Sequence, residues 1–232
     1  MLILAIDTAL EACAVAVLDS EANSLRAHES QAMARGHAEA LMPMVDRVMK
    51  AAALPFTALD RIAVTVGPGS FTGLRVGISA ARGLGLAADK PVVGVTTLSA
   101  FAAPHLAEAG GPIVSLIDAR HDHVYMQVVD GDGTALVRPC IAPIADVFDQ
   151  TRFGPLRLVG NAAQLVAERW PGHVTPPASV EQSVAPEIVW VAWVGVAANP
   201  ATSKPRPLYL RAVDAKPQAI AVQDRAALSA SS

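Results

Sequence analysis

The sequence predicts an α/β fold made of two copies of one mixed sheet, each flanked by helices, with the second copy abbreviated. Three observations predict it. Two hairpins open the chain, and apolar extended segments then alternate with helical ones. An apolar run closed by Asp occurs twice, as Leu2-Ile3-Leu4-Ala5-Ile6-Asp7 and as Ile113-Val114-Ser115-Leu116-Ile117-Asp118. Between the two stands Gly110-Gly111-Pro112, a strong boundary signal.

The first copy begins with three short strands, 2–7, 13–18 and 25–29, the last two joined by the polar turn 19–24. Residues 36–53 carry Leu41, Met44, Val45, Val48 and Met49 at helical spacing, so an amphipathic helix follows, with Pro43 near its first turn or kinking it. A buried strand, 61–66, runs through Gly67-Pro68-Gly69-Ser70 into a helix over 72–88. A strand at 92–95 and a helix over 97–108 complete the copy. The second copy offers strands at 113–118 and 123–129, a turn at Asp130-Gly131-Asp132-Gly133 and a strand at 134–138. A helix around 144–150, a strand 156–160 and a helix 161–170 come next. The Pro/Ser/Thr-rich stretch 171–186 reads as a loop, and 188–198 as a buried helix. The order strand-strand-strand-helix-strand-helix-strand-helix is that of actin-like, ribonuclease H-like (ASKHA) folds. The expected division is an N-terminal lobe 1–110, a smaller C-terminal lobe 111–215 and a disordered tail 216–232.

Composition narrows the function. With 52% hydrophobic and 17% charged residues in 232, the chain has enough apolar material for a real core. A net charge of −3 and no Lys/Arg block give no global attraction to a phosphate backbone, so RNA is expected to be contacted mainly through partners. Cys13 and Cys140 lack metal-ligand spacing and read as reduced, partly buried thiols. The N-terminus has no basic region ahead of its apolar run, and the longest apolar stretch falls short of the ~20 residues that span a bilayer. A cytoplasmic protein without a membrane segment is expected.

The most informative segment is Val66-Gly67-Pro68-Gly69-Ser70-Phe71-Thr72-Gly73-Leu74-Arg75-Val76-Gly77. A Gly/Pro turn at a helix start offers amide N–H groups and a positive dipole end to an anion. Walker A and dinucleotide patterns both fail, because Leu74-Arg75 follows Gly73 and Thr stands at 72. The helix beyond carries Gly73, Gly77, Ala81 and Gly85 at i, i+4, i+8 and i+12. Glycine inside a helix costs about 1 kcal/mol against alanine, so such a strip needs a close backbone contact to offset it. That contact can be internal, against the sheet or the first helix, or external, against a partner helix.

With Ala5-Ile6-Asp7-Thr8-Ala9, Gly94-Val95-Thr96-Thr97-Leu98, Ile117-Asp118-Ala119-Arg120 and Pro207-Leu208-Tyr209-Leu210-Arg211, the long central motif resembles the TsaB family, also called YeaZ. The matches are in order and span residues 1 to about 215. The resemblance implies an actin-like fold and a non-catalytic role in making N6-threonylcarbamoyladenosine (t6A) at position 37 of tRNA. It implies pairing with the catalytic paralogue TsaD, a small ATPase, TsaE, in the complex, and a homodimer when the chain is alone. Carried over, the pairing face comprises His37, Leu41, Met44, Val45 and Val48 of the first helix, and Gly73, Leu74, Gly77, Ile78, Ala81 and Arg82 of the second. Gly67, Pro68, Gly69, Ser70, Phe71, Thr72 and Arg75 are expected beside that junction as a nucleotide contact. No intrinsic cofactor or metal is implied, ATP or ADP and Mg being bound in the complex. On this reading, Arg at Gly77 or Ala81 abolishes pairing and leaves the isolated fold intact.

The residues themselves argue for a missing site. His37 is followed at i+4 by Leu41, where the catalytic paralogues have a second metal-binding His. Asp7-Thr8-Ala9 lacks the Gly of the Asp-x-Gly turn that lets backbone approach phosphate in actin-like kinases, and Asp7 is expected to bond its own turn. His121 and His123, expected on one strand face, have no third ligand nearby in sequence. Two alternatives remain: an autonomous ATP-binding enzyme of the actin and sugar-kinase class, and a peptidase, for which no nucleophile-base or metal pair is visible.

Overall fold

The computed structural model describes residues 1–106, 108 and 110–210; the expected tail 216–232 and Arg211 of the last motif lie outside the described residues. The first sheet comprises β1 (Leu2–Asp7), β2 (Ala12–Asp19), β3 (Ser24–Ala32), β4 (Arg61–Gly67) and β5 (Val92–Thr96), in the order β3-β2-β1-β4-β5. β1 runs antiparallel to β2 and parallel to β4. Being central and covered on both faces, it is apolar at every position up to Asp7, as a strand buried on both sides must be.

Helices α1 (His37–Ala51) and α2 (Phe71–Ala88) cover one face of this sheet. Leu41, Met44 and Val45 of α1 and Leu74, Ile78 and Ala81 of α2 close over Leu4, Ile6, Val15, Ile62 and Val64. Helix α6 (Ile188–Ala197) covers the other face, where the sheet presents Ala5, Ala14, Ala16 and Ala63 to Val191 and Ala192. These small residues let α6 sit close to the strands. Thus α6, expected in the lobe 111–215, belongs to the layers of the first sheet.

The second sheet repeats the first. β6 (Ile113–Arg120), β7 (His123–Val129), β8 (Ala135–Pro143), β9 (Arg157–Gly160) and β10 (Ser179–Gln182) are ordered β10-β9-β6-β7-β8, the same topology read from the opposite edge. The abbreviation lies in the helices: α4 (Ala145–Phe148) and α5 (Ala163–Glu168) have 4 and 6 residues, against 15 and 18 in α1 and α2. Between the sheets lies α3 (Thr97–Ala102), whose Leu98, Phe101 and Ala102 share a core with Ile113, Ile117 and Val159.

Three differences from the sequence reading have local causes. Helix α3 stops at Ala102 instead of 108, because Pro104 removes an amide donor and crowds the preceding turn. The stretch 171–186 contains β10, a half-exposed edge strand with one apolar residue, Val180, too few to produce a pattern. His121 is not on a strand; Arg120, His121 and Asp122 all have positive φ and turn the β6–β7 hairpin, so His121 and His123 do not share a strand face.

Candidate functional site: the glycine loop, helix α2 and their two faces

The C-terminal ends of β1 and β4 meet where the loop Gly67-Pro68-Gly69-Ser70 enters α2. Asp7 is fully buried; its Oδ1 accepts from the Ala9 amide at 2.9 Å and from the Thr65 hydroxyl at 2.6 Å, while Oδ2 has no partner. Burial pushes the Asp7 pKa up, and the Thr65 hydrogen bond only partly offsets it. As expected, the carboxyl bonds its own turn.

The space that a glycine at position 9 would leave for phosphate is filled from within the chain. Ala9 O accepts from the Ser70 amide at 2.7 Å, and a Cβ on Gly69 would collide with that carbonyl. Ser70 caps α2, its Oγ accepting from the Gly73 amide at 3.3 Å, and its carbonyl accepts from the Leu74 amide at 2.9 Å. The Ser70, Gly73 and Leu74 N–H groups at the start of α2 are therefore committed to the fold, and the buried Asp7 carboxyl is ill placed for a cation.

The glycine strip resolves the same way. Thr8 Oγ1 donates to Gly73 O at 2.7 Å, and a methyl group on Gly73 or Gly77 would strike Thr8. One on Gly85 would strike Val92. Gly73, Gly77, Ala81 and Gly85 are all buried against the turn and strands. The close contact is thus internal, and the expected pairing face is corrected accordingly. His37, Leu41, Met44, Val45, Val48, Gly73, Leu74, Gly77, Ile78 and Ala81 are core residues, buried by their own sheet, and only Arg82 of that set is exposed. Arg at Gly77 or Ala81 would therefore disrupt the fold itself. His37 opens α1, its ring nitrogen Nε2 donating to Leu10 O at 3.1 Å.

Two outward faces remain on these helices. On the first, α1 presents Ala38 and Met42, and α2 presents half-buried Val76 and Ala80 with exposed Gly83 and Ala87, forming a shallow apolar seam. Gly83 has nothing within 4 Å of where its Cβ would stand, so no internal contact explains a glycine there. The second face lies on the opposite flank of α2. Phe71 and Tyr209 are exposed and their rings lie 5.6 Å apart, with the Arg75 guanidinium 3.6 Å over Phe71 and its Nε donating to Tyr209 Oη at 3.3 Å. Tyr209 arrives on the strap 199–210, which bonds along the first sheet through Gly94 N to Ser203 O and Leu208 N to Val66 O.

Reading buried apolar positions as the contact face hid Met42, Gly83 and Tyr209. The signal for Met42 and Gly83 was available, since both lie across their helices from the buried stripe. Nothing local places the strap. Between the lobes, a cavity of about 400 Å³ is lined by His37, Ser70, Asp118, Arg120, Tyr125 and Asn161 among others. Among the described residues, no group of three His, Cys, Asp or Glu side chains could hold a metal ion, and no helix is long and apolar enough to cross a membrane.

Comparison with known proteins matches this architecture. The family model described as TsaD, tRNA N6-adenosine threonylcarbamoyltransferase, matches residues 26–176. The tRNA threonylcarbamoyladenosine biosynthesis protein TsaB of Escherichia coli K12 is 40% identical over 126 residues, 54% of this chain and 53% of that protein. The TsaB of Haemophilus influenzae is 38% identical over 131 residues, 55% and 53% of the two chains, so the chain spans about half the length of these curated relatives. An uncharacterized protein of Mycobacterium tuberculosis H37Rv is 35% identical over 218 residues, covering 94% of this chain and 95% of its own. The solved YeaZ structure from Pseudomonas aeruginosa superposes with a TM-score of 0.72 at 28% identity, covering 90% of this chain and 99% of that one. The chain belongs to the TsaB (YeaZ) family.

Proposed function

We propose that the chain is a non-catalytic subunit in the formation of t6A at position 37 of tRNA in the cytoplasm, acting by pairing with the catalytic paralogue TsaD. The observation that carries this reading is the outward seam between α1 and α2. It combines exposed Met42 with half-buried Val76 and Ala80 and an exposed glycine, Gly83, that costs helix stability without an internal return. A partner helix crossing at Gly83 would approach the backbone closely and bury the apolar seam, and a second copy of the chain would use the same surface when the paralogue is absent. The turn at Asp7-Thr8-Ala9, packed by the glycine loop, supports assigning ATP or ADP and Mg to the partners, with TsaE as the ATPase of the complex.

The test is co-expression with the TsaD homologue of the same organism, followed by size exclusion and mass-spectrometric measurement of t6A. Wild type should co-elute with the paralogue, and t6A should form only in the mixture. Gly83→Arg and Met42→Arg should lose co-elution while the isolated variants melt no lower than wild type. Retained pairing in both variants would overturn the seam. Turnover by the chain alone would overturn the scaffold reading and favour the autonomous enzyme.

A further inference from the structure

We propose that the strap flank of α2 is a binding surface for the sugar–phosphate backbone of RNA. The choice of RNA rests on the proposed role in tRNA modification, while the surface itself is read from charge and geometry.

The 18 residues of α2 contain two charged side chains, Arg75 and Arg82, both exposed, and the strap 199–210 contains two more, Lys204 and Arg206, both exposed. Folding sets the strap alongside the helix. Arg82, Lys90 and Lys204 then line one groove of about 780 Å³, and Arg75 meets the far end of the strap at Tyr209. Among the described residues, none of Arg82, Lys90, Arg206 or Arg75 has a carboxylate partner, and Lys204 Nζ donates to Pro200 O at 2.9 Å. Asp89, on the groove rim, is the one acid in this set. Five cations against one carboxylate give this flank +4, which leaves −7 on the rest of a chain of net −3.

Such asymmetry in an acidic protein is the electrostatic footprint of a polyanion site. Two features favour RNA over an acidic protein segment. The cations are spread along a helix that rises about 27 Å, a spacing suited to successive phosphates. At one end, the exposed Phe71 and Tyr209 rings, with the Arg75 guanidinium over one face of Phe71, provide a stacking platform for an unpaired base. Gly83 of the pairing seam also lines the groove, whereas Met42, Val76 and Ala80 lie outside it, so the two surfaces adjoin at Gly83 and each has residues of its own.

The test measures fluorescence anisotropy of a labelled tRNA transcript with the isolated chain at about 50 and about 200 mM salt, where some four phosphate contacts predict roughly a hundredfold loss of affinity. Lys204→Glu/Arg206→Glu should bind at least about tenfold more weakly and show a salt dependence shallower by about two counterions. Arg35→Glu/Arg138→Glu, placed on other surfaces, should leave binding unchanged. Equal weakening by the control pair, or competition by polyglutamate as effective as that by unlabelled tRNA, would overturn the proposal, the latter pointing to an acidic protein partner. Absence of RNA binding by wild type, with t6A still formed in the mixture, would overturn this inference and leave the proposed function standing. Conversely, Met42→Arg, on the seam and outside the groove, should lose co-elution with the paralogue and keep RNA affinity; loss of both together would show that the two surfaces are one and overturn the assignment.

Discussion

Substituting Gly77 by alanine sets two opposing effects against each other, and the structure decides the winner. In a helix interior the change is worth about 1 kcal/mol in favour of alanine. Here the new methyl group falls on Thr8 Oγ1 and stands 3.5 Å from Val64 Cγ2. Thr8 is fully buried, and its hydroxyl is held by Gly73 O at 2.7 Å, so it has no flexible end to swing aside. Overpacking of this kind costs about 1–3 kcal/mol, and displacing the hydroxyl forfeits a buried hydrogen bond worth about 1 kcal/mol. The net effect is a loss of about 2 kcal/mol. In a urea titration of the isolated chain, with a slope of about 2 kcal/mol per molar, the midpoint should fall by about 1 M. Thr8→Ala alone should cost about 1 kcal/mol through the lost buried hydrogen bond to Gly73 O, and adding Gly77→Ala to it should cost little more, because the methyl then occupies the vacated space. A wild-type midpoint for Gly77→Ala, or strict additivity in the double variant, would refute the internal contact and restore the strip as a free surface.

Other changes probe other parts of the fold. Gly83→Ala, with open space at its Cβ, should raise the stability of the isolated chain by about 0.5–1 kcal/mol in the same titration, the opposite sign to Gly77→Ala. Arg61 donates through Nη1 to the carbonyls of Gly195, Val196 and Ala198 and so caps the C-terminus of α6; Arg61→Ala should lower stability by about 2 kcal/mol. A lysine there, with a point charge and no planar fork, should recover only part of that loss. Asp7→Asn tests the buried carboxyl. Because the folded state raises its pKa, the folded protein holds the proton more tightly, so its stabilising contribution is full below the unfolded pKa of 3.8 and is lost as pH rises through the folded value. Chemical denaturation at several pH values should therefore show the Asn variant gaining on wild type as pH rises through that window, and a gap independent of pH would refute it.

The sheets were legible in the sequence because buried strands write themselves as apolar runs. The paired runs ending at Asp7 and Asp118 announced the duplication, and the structure gives both copies the same strand order. The edge strand β10 was not legible, because Ser179–Gln182 has too little apolar pattern, whereas the early end of α3 is written in Pro104, which stops the helix despite the apolar run before it. The glycine strip was legible as a need for close contact and illegible as to its direction. Direction depended on Thr8, which lies 69 residues upstream of Gly77 in sequence and above it in space. Position along a chain carries helix phase, but the partner of each phase is set by the sheet order.

The same crossing of elements fills the turn after β1 with backbone from the glycine loop. In Asp7-Thr8-Ala9 the carbonyls of Thr8 and Ala9 and the Thr8 hydroxyl face the entry of α2, and Gly69 just before the helix with Gly73 and Gly77 inside it leave the room they need. Thr8 and Ala9 on one side and three glycines on the other are thus one fitted joint, not two separate oddities of composition. Restoring Gly at position 9 alone would therefore not recreate a phosphate site: the Ser70 amide would still be bonded to the residue-9 carbonyl, and Asp7 would remain buried and bonded to Thr65. Ala9→Gly should leave the chain without measurable affinity for ATP and Mg by isothermal titration. Tight, stoichiometric binding in that variant would show that the methyl group, and not the joint as a whole, was what closed the turn.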